Sequence, residues 1–264
     1  MIQISSTQNP RIKSLLLLKE KSRERKKTGT FVVEGVREIE LAIKGGYKLD
    51  ALFICPELAD QASLQVANKL EVNQKFELSA NVYNKIAHRG STEGLVAIAN
   101  SKDHSLAQLT FATDKPLILV AEAPEKPGNI GALLRTADAA GIDAVIIANP
   151  KSDLYNPNII RSSVGCVFTT QIATSTSEAA IAYLKQNSIA IYSAALQDAT
   201  DYLLADYSIA SALVVGTEAQ GLTNEWREQA TKIISIPMKG QIDSMNVSVA
   251  AGILVFEANR QRRP

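Results

Sequence analysis

Three glycine-containing stretches carry the residues with the clearest chemical potential: PGNIGALLRTAD, VVGTEAQGL and IPMKGQIDSMN. They span residues 127–138, 214–222 and 236–246, and each begins in or follows an apolar run that predicts a strand. A strand that ends in a loop leaves backbone N–H groups unpaired, and open α/β sheets bind ligands at such ends. We therefore expect the three stretches to form one ligand pocket.

The first stretch predicts a helix whose start allows close approach of a ligand. Gly128 and Gly131 leave the backbone bare at the helix N-terminus, where an anion such as phosphate is favoured. Neither a dinucleotide-binding glycine fingerprint nor a Walker A loop is present. Arg135 and Asp138 fall off the apolar stripe of this helix, so an ordinary surface ion pair is an equally good interpretation.

The second and third stretches suit a flat ligand. In the second, Gly216 and Gly221 flank Glu218, and they either serve the dihedral angles of a tight turn or expose bare backbone to a ring. In the third, Met238 and Met245 could be core residues or could contact an adenine ring. Ser244 and Asn246, each taken alone, are best interpreted as caps of the last helix. Apolar Ile236 belongs with the two methionines.

The elements around these stretches predict two α/β domains, over residues 1–107 and 108–264. In the second, continuous apolar strands alternate with helices, which predicts a mostly parallel sheet covered on both faces. One of its strands is expected over residues 167–172. In the first, Asn9 and Pro10 begin a helix that is expected to run as one element to Gly29.

Composition limits the function classes. Cys55 and Cys166 are far apart and His88 and His104 are isolated, so no metal site is expected and the cysteines should be reduced. No apolar run approaches the ~20 residues that span a bilayer, so we expect a cytoplasmic protein without membrane contact. The net charge of +1 excludes a uniformly basic nucleic-acid binder but not a local basic patch.

Such a patch is present near the amino terminus. Residues 1–30 contain eight basic and two acidic residues. A solvated helix end and a phosphate-binding surface both explain this cluster, and charge alone does not separate them. The residues that would contact RNA phosphates are Arg11, Lys13, Arg23, Arg25, Lys26 and Lys27, with Arg89 in a later glycine turn.

In order and spacing, PGNIGALLRTADAAG, NPNIIRSSVGCVF, VVGTEAQGL and ISIPMKGQIDSMNVSVAAGILVFEANRQR resemble the SpoU (TrmH) family of RNA ribose 2′-O-methyltransferases, in the SPOUT superfamily. The resemblance covers residues 116–264. The segment ISSTQNPRIKSLLLLKEKSRERKKTGTFVVEG also resembles the RNA-binding domain of these enzymes, which is similar to a small ribosomal-protein α/β fold. The second resemblance favours RNA contact as the role of the basic cluster.

The resemblance implies a deep trefoil knot that forms an S-adenosylmethionine site, and a homodimer through the knotted domain. It implies methylation of a ribose 2′-hydroxyl in structured RNA, most often ribosomal RNA. Residues implied to contact or line the methyl-donor site are Gly216, Ile236, Met245, Val215, Gly221, Met238 and Val247. Glu218 and Asn246 are implied to line it as well. Residues at the catalytic positions are Asn129, Arg135, Glu218, Ser244 and Asn246.

Arginine is a difficult general base, because a guanidinium holds its proton very firmly, and this applies to the arginine at position 135. We favour the hypothesis that Arg135 grips a substrate phosphate and stabilises the developing alkoxide, with Ser244 orienting it. Two positions depart from the family pattern: Glu125-Lys126-Pro127 stands where Asp-Pro is frequent, and Met245 stands between Ser244 and Asn246 where leucine is usual.

Three alternatives remain at this stage. The substrate could be transfer RNA, or the chain could bind RNA on the same fold without catalysis. The third alternative, a nucleotide-dependent metabolic enzyme, is disfavoured by the missing phosphate-loop fingerprints.

Overall fold

A computed structural model describes residues 1–88, 93–217 and 221–263. The chain forms two compact units, each made of two segments. The first unit contains Met1–Lys102 and Asp153–Thr169, and the second contains Asp103–Ser152 and Thr170–Pro264. Residues 153–169 lie inside the sequence assigned to the second predicted domain, yet they pack with the first unit.

The first unit is built on a five-stranded sheet in the order β1-β4-β3-β5-β2. Strand β5 runs antiparallel to β2 and β3, and the other pairs are parallel. Its elements before residue 103 are β1 (Ile2–Ile4), α1 (Pro10–Glu20), α2 (Ser22–Thr28), β2 (Thr30–Glu34), α3 (Val36–Lys44), β3 (Leu49–Ile54), α4 (Gln61–Lys69), β4 (Gln74–Leu78), α5 (Ala80–Ile86) and β5 (Leu95–Asn100).

The prediction of one helix from Asn9 to Gly29 is wrong, because the helix breaks at Lys21. That residue is extended, with φ −112° and ψ 109°. Beyond the break, Arg25 turns inward and donates hydrogen bonds to the carbonyl oxygens of Leu18 and Lys19, at 2.6 and 3.1 Å. These carbonyls belong to the last turn of α1, where they lack partners within the helix. The buried guanidinium of Arg25, which lies on α2, therefore caps the carboxyl end of α1.

The second unit is built on a seven-stranded parallel sheet in the order β10-β12-β9-β11-β6-β7-β8. Its strands are β6 (Leu117–Glu122), β7 (Ala144–Ala148), β8 (Ile172–Ser175), β9 (Ala190–Ala194), β10 (Thr200–Asp201), β11 (Ser211–Val215) and β12 (Lys232–Ser235). The helices from residue 127 onward are α6 (Pro127–Ala140), α7 (Pro157–Ser162), α8 (Cys166–Thr169), α9 (Ser177–Gln186), α10 (Asn224–Glu228) and α11 (Val247–Gln261), of which α7 and α8 belong to the first unit.

Helices cover both faces of this sheet, as predicted. On one face Ile118 and Val120 pack in a core that includes Leu184 of α9 and Trp226 of α10. On the other, α11 packs against α6 and β11. Strand β11 lies between β6 and β9, so a late segment of the chain enters the middle of the sheet. The fold class is confirmed, and the knot remains a prediction.

The strand predicted over residues 167–172 is wrong in its first part. Val164 and Gly165 both have positive φ, at 57° and 82°, which turns the chain before helix α8. Phe168 of that helix then packs within the first unit, with ring centroids 5.9 Å from Phe31 and 5.2 Å from Tyr47. The strand begins only at Ile172. A short apolar run cannot by itself distinguish a strand from a buried helix.

Among the helices of the described part of the chain, none combines the length and apolar composition that crossing a bilayer requires.

Candidate active site

The turn after β11 approaches its own start so closely that only glycine fits there. A Cβ atom on Gly216 would overlap the backbone carbonyl of Gly221 and the amide nitrogen of Leu222. Thr217 and Gly221 exchange backbone hydrogen bonds of 3.2 and 3.0 Å across the turn. Gly221 itself has φ +67°, a conformation that side chains disfavour. Both glycines are therefore required by the backbone of the turn.

The loop after β12 ends at a helix cap that also joins two elements. Asn246 is the N-cap of α11, and its Oδ1 accepts from the amide nitrogen and the Oγ of Ser248, at 2.9 and 2.6 Å. Its Nδ2 donates to Oδ1 of Asn129 on α6, at 3.2 Å. The first and third glycine-containing stretches, 117 residues apart in sequence, thus meet at this amide pair.

A cavity of about 370 Å³ lies between the two loops. This is within the range of roughly 300–1,000 Å³ typical of small-molecule sites. The structure brings together seven of the residues expected to line a methyl-donor site, which are Val215, Gly216, Gly221, Ile236, Met238, Met245 and Val247. Asn246, also expected there, does not line the cavity. The seven lining residues come from two of the three stretches and from the start of α11.

Unlike the lining residues, the residues expected at catalytic positions do not all lie at the cavity. Ser244 is exposed and lines the cavity. Asn129 and Asn246 are joined at its side, as described above. Arg135 is exposed on α6 and does not line the cavity. Glu218 lies outside the described residues.

The cavity has further walls that sequence reasoning did not identify. Leu196 and Gln197 follow β9, which neighbours both β11 and β12 in the sheet. The lining residues also include two charged side chains of opposite sign, Asp243 and Arg227. Only the strand order places the end of β9 here, and no motif in the sequence signals it. Asp243, next to Ser244 in the third stretch, could have been found from its position.

Most of the predicted RNA-contacting residues are on the surface of the first unit. Arg11, Lys13, Arg23, Lys26 and Lys27 are exposed. Arg89 lies outside the described residues.

Arg25 must be removed from that set, because it is only 5% exposed. Besides its bonds to α1, its Nε and Nη2 donate to both carboxylate oxygens of Asp153, at 3.0 and 2.6 Å. A guanidinium committed to a buried ion pair cannot also bind a phosphate.

Cys55 is buried, and burial is the largest cause that raises the pKa of its thiol. A protonated, enclosed thiol is a poor nucleophile, which agrees with a structural role. Neither Cys55 nor Cys166 is part of a disulfide.

Comparison with known proteins accounts for both parts of the chain. A family model described as the SpoU rRNA Methylase family matches residues 116–256, and one described as the MRM3-like substrate binding domain matches residues 9–97. The 23S rRNA (guanosine(2553)-2′-O)-methyltransferase RlmP of Bacillus subtilis is 31% identical over 257 residues, which cover 97% of this chain and 98% of the relative. The 23S rRNA (guanosine-2′-O-)-methyltransferase RlmB of Shewanella oneidensis is 33% identical over 204 residues, covering 76% and 79%.

Solved structures of RNA methyltransferases superpose on almost the whole of this chain. An RNA 2′-O ribose methyltransferase superposes with a TM-score of 0.85 at 37% identity and covers 99% of both chains. The AdoMet-bound rRNA methyltransferase of Sinorhizobium meliloti has a TM-score of 0.89 at 28% identity, covering 99% of this chain and 98% of the other. By motif order, fold and similarity over its full length, the chain belongs to the SpoU rRNA methylase family.

Proposed function

We propose that this protein transfers a methyl group from S-adenosylmethionine to a ribose 2′-hydroxyl of ribosomal RNA. The observation that carries the proposal is the cavity, which gathers seven residues from separate parts of the chain at the carboxyl ends of β11 and β12. Family membership supplies the reaction class. The names of the relatives favour 23S ribosomal RNA, with guanosine as the target nucleoside.

The residues of the cavity fit this cofactor. Ile236, Met238 and Met245 offer apolar surface for a flat ring, and the bare backbone at Gly216 permits close approach. Asp243 and Arg227 supply one charge of each sign, which suits a zwitterionic amino-acid group. When bound, S-adenosylmethionine supplies an electrophilic methyl group carried by a sulfonium.

The protein must activate a poor nucleophile on the RNA. A guanidinium has five N–H donors and no acceptor, so Arg135 acts by holding a phosphate and stabilising negative charge rather than by removing a proton. Ser244, exposed at the cavity, can orient the nucleophile by hydrogen bonding. The exposed basic residues of α1 and α2 provide sequence-independent contacts to the RNA backbone.

The active enzyme is a homodimer in this proposal. Along α11, Val249 and Phe256 are 53% and 49% exposed, and Ile253 between them is half-buried, which gives a stripe of apolar surface. Helix α6 packs beside α11 and exposes Arg135, which does not line the cavity of its own chain. In this proposal a second copy covers the stripe, and Arg135 of one subunit serves the cavity of the other.

The first test is calorimetric titration with S-adenosylmethionine, followed by transfer of labelled methyl groups into total RNA from a strain lacking the protein. We expect both the wild type and Arg135→Ala to bind S-adenosylmethionine. The wild type should incorporate label into ribosomal RNA, and Arg135→Ala should not. Arg263→Ala, another exposed arginine of the same unit, is the matched control and should remain active. Failure of the wild type to bind S-adenosylmethionine would favour the alternative of a non-catalytic RNA-binding protein. Label found in transfer RNA would favour the alternative of a transfer-RNA methyltransferase.

A further inference from the structure

Glu122, the last residue of β6, is a buried carboxylate that none of the motif assignments explains. Its exposed fraction is 2%, and it makes no ion pair within the described part of the chain. A buried charge is tolerated only where hydrogen bonds replace its hydration. Here the amide nitrogen of Thr223 donates to Oε2 at 2.9 Å, and the Oγ1 of Thr223 donates to Oε1 at 2.8 Å.

A third donor, Ser177, shows that position 122 requires a side chain with two acceptor oxygens. The Oγ of Ser177 donates to Oε1 of Glu122 at 3.2 Å. The same Oγ accepts from Trp226 Nε1 and from Asn149 Nδ2, both at 2.9 Å. A hydroxyl has two acceptor lone pairs and one proton, so Ser177 can only donate to residue 122. Both oxygens of Glu122 must therefore be acceptors, which a glutamine side chain cannot provide.

The hydrogen bonds of Glu122 connect two parts of the active site. Residue 122 directly precedes Ala123, which has φ +45° and opens the short loop that leads into α6 with Asn129. Thr223 directly follows Gly221 and Leu222, which line the cavity. The turn at Gly216 is closed by its own backbone hydrogen bonds, so its internal shape does not depend on Glu122. The position of the turn relative to the start of α6 does depend on Glu122.

Glu122 also lies at the border of a second, more polar recess. A groove of about 1070 Å³ is lined by Glu122, Lys151 and Asn224, and it shares Thr217 and Gly221 with the cavity. Any shift of the turn therefore changes both recesses at once. The three donors hold the carboxylate in one position between Ser177 and Thr223.

We propose that Glu122 is a positioning residue for methyl transfer, which holds Gly221, Leu222 and Thr223 in place against the loop before α6. This inference rests on the proposed function. It predicts that loss of the carboxylate separates catalysis from cofactor binding, because the walls of the cavity survive while their placement toward Asn129 does not. A residue that only stabilised the fold would lower both together.

The test is Glu122→Gln, which preserves size and removes one acceptor. We expect kcat to fall about tenfold or more, while the Kd for S-adenosylmethionine changes by less than about threefold. Thr223→Val, which removes the hydroxyl donor, should also lower kcat. Thr223→Ser, which retains the hydroxyl, should keep kcat near the wild-type value. Ser211→Ala removes a buried hydroxyl at the opposite end of β11, so it controls for stability loss and should leave kcat unchanged.

Unchanged kcat in Glu122→Gln would overturn the inference. So would a parallel loss of kcat and cofactor affinity in proportion to the unfolded fraction measured by circular dichroism. The wild-type protein assayed alongside decides the proposed function separately, since its inactivity would refute methyl transfer whatever the variants do.

Discussion

Gly216 is where the cavity depends on the absence of a side chain. A Cβ at this position meets backbone atoms of Gly221 and Leu222, which cannot move aside as a flexible side chain would. We expect Gly216→Ala to weaken S-adenosylmethionine binding by about 1–3 kcal/mol, or roughly 5- to 150-fold, measured by calorimetry. Gly240→Ala is the matched control, because a Cβ there meets nothing within 4 Å. Equal affinity of the two variants would show that the turn relaxes.

Arg135 tests whether the shape of the cation matters or only its charge. Arginine presents a planar fork of donors, whereas lysine is a compact point charge. If Arg135 grips a phosphate in a bidentate manner, Arg135→Lys should reduce kcat/KM about 10- to 100-fold with cofactor affinity unchanged. Steady-state kinetics on ribosomal RNA measures this. A fully active lysine variant would rule out the fork-shaped contact.

The family resemblance and the strand-end glycines predicted which residues would lie together, but no pattern of charges assigned every charged residue. Seven residues that the resemblance implied for the methyl-donor site line one cavity, and their role in binding the cofactor stays a prediction. Arg25 shows the limit, since its neighbours Lys26 and Lys27 are exposed while it is buried. Its partner Asp153 is 128 residues away, and no local pattern reveals such a pair.

At the scale of elements, Asn246 performs two tasks that a substitution can separate. Its Oδ1 caps α11 and its Nδ2 reaches Asn129 on α6. Asn246→Asp keeps a good cap but replaces the donor by an acceptor. We expect the free energy of unfolding to change by less than about 0.5 kcal/mol while methyl transfer is largely lost.

Asn246→Ala is the comparison for this prediction. It removes the cap as well and should cost about 1 kcal/mol of stability in denaturant unfolding. Full activity of Asn246→Asp would mean that the bond between α6 and α11 has no part in catalysis.

Element types were predictable where the hydrophobic pattern was long and failed where tertiary contacts decided. Strand β7 is a continuous apolar run, β6 is one up to Glu122, and β11 is one after Ser211. The apolar stripe of α6 with Leu133 and Leu134 is buried as expected. The break at Lys21 and the helix at Phe168 depend instead on Arg25 and on the aromatic rings around Phe31. Such contacts override local propensity.

At the scale of the whole molecule, the order of strands was beyond sequence reasoning. Alternating strands and helices predict a parallel sheet, but they do not say that β11 lies between β6 and β9. That insertion puts the residues after β9 into the cavity wall, which is why Leu196 and Gln197 were missed. The knot was expected only from the family resemblance, because the general rule for protein chains is that they are not knotted.

The apolar stripe on α11 makes assembly testable. Phe256→Asp places a charge within the proposed interface, so we expect a monomer in sedimentation velocity with cofactor binding retained and methyl transfer lost. Leu58→Asp changes an equally exposed leucine, 45% accessible, in the first unit and should leave the assembly unchanged. A Phe256→Asp protein that sediments like the wild type would exclude this face.

Mixing Arg135→Ala with Gly216→Ala, at a cofactor concentration too low for Gly216→Ala to be active alone, then decides whether the site is shared. Arg135→Ala keeps its cavity and Gly216→Ala keeps its arginine, so a mixed dimer contains one complete site if Arg135 acts across the interface. Random exchange makes half of the dimers mixed, and one of their two sites is intact, so about a quarter of wild-type activity should return. If Arg135 instead serves the cavity of its own chain, neither subunit is complete and mixing restores nothing. The recovered fraction therefore distinguishes a site built by two subunits from one built by a single chain.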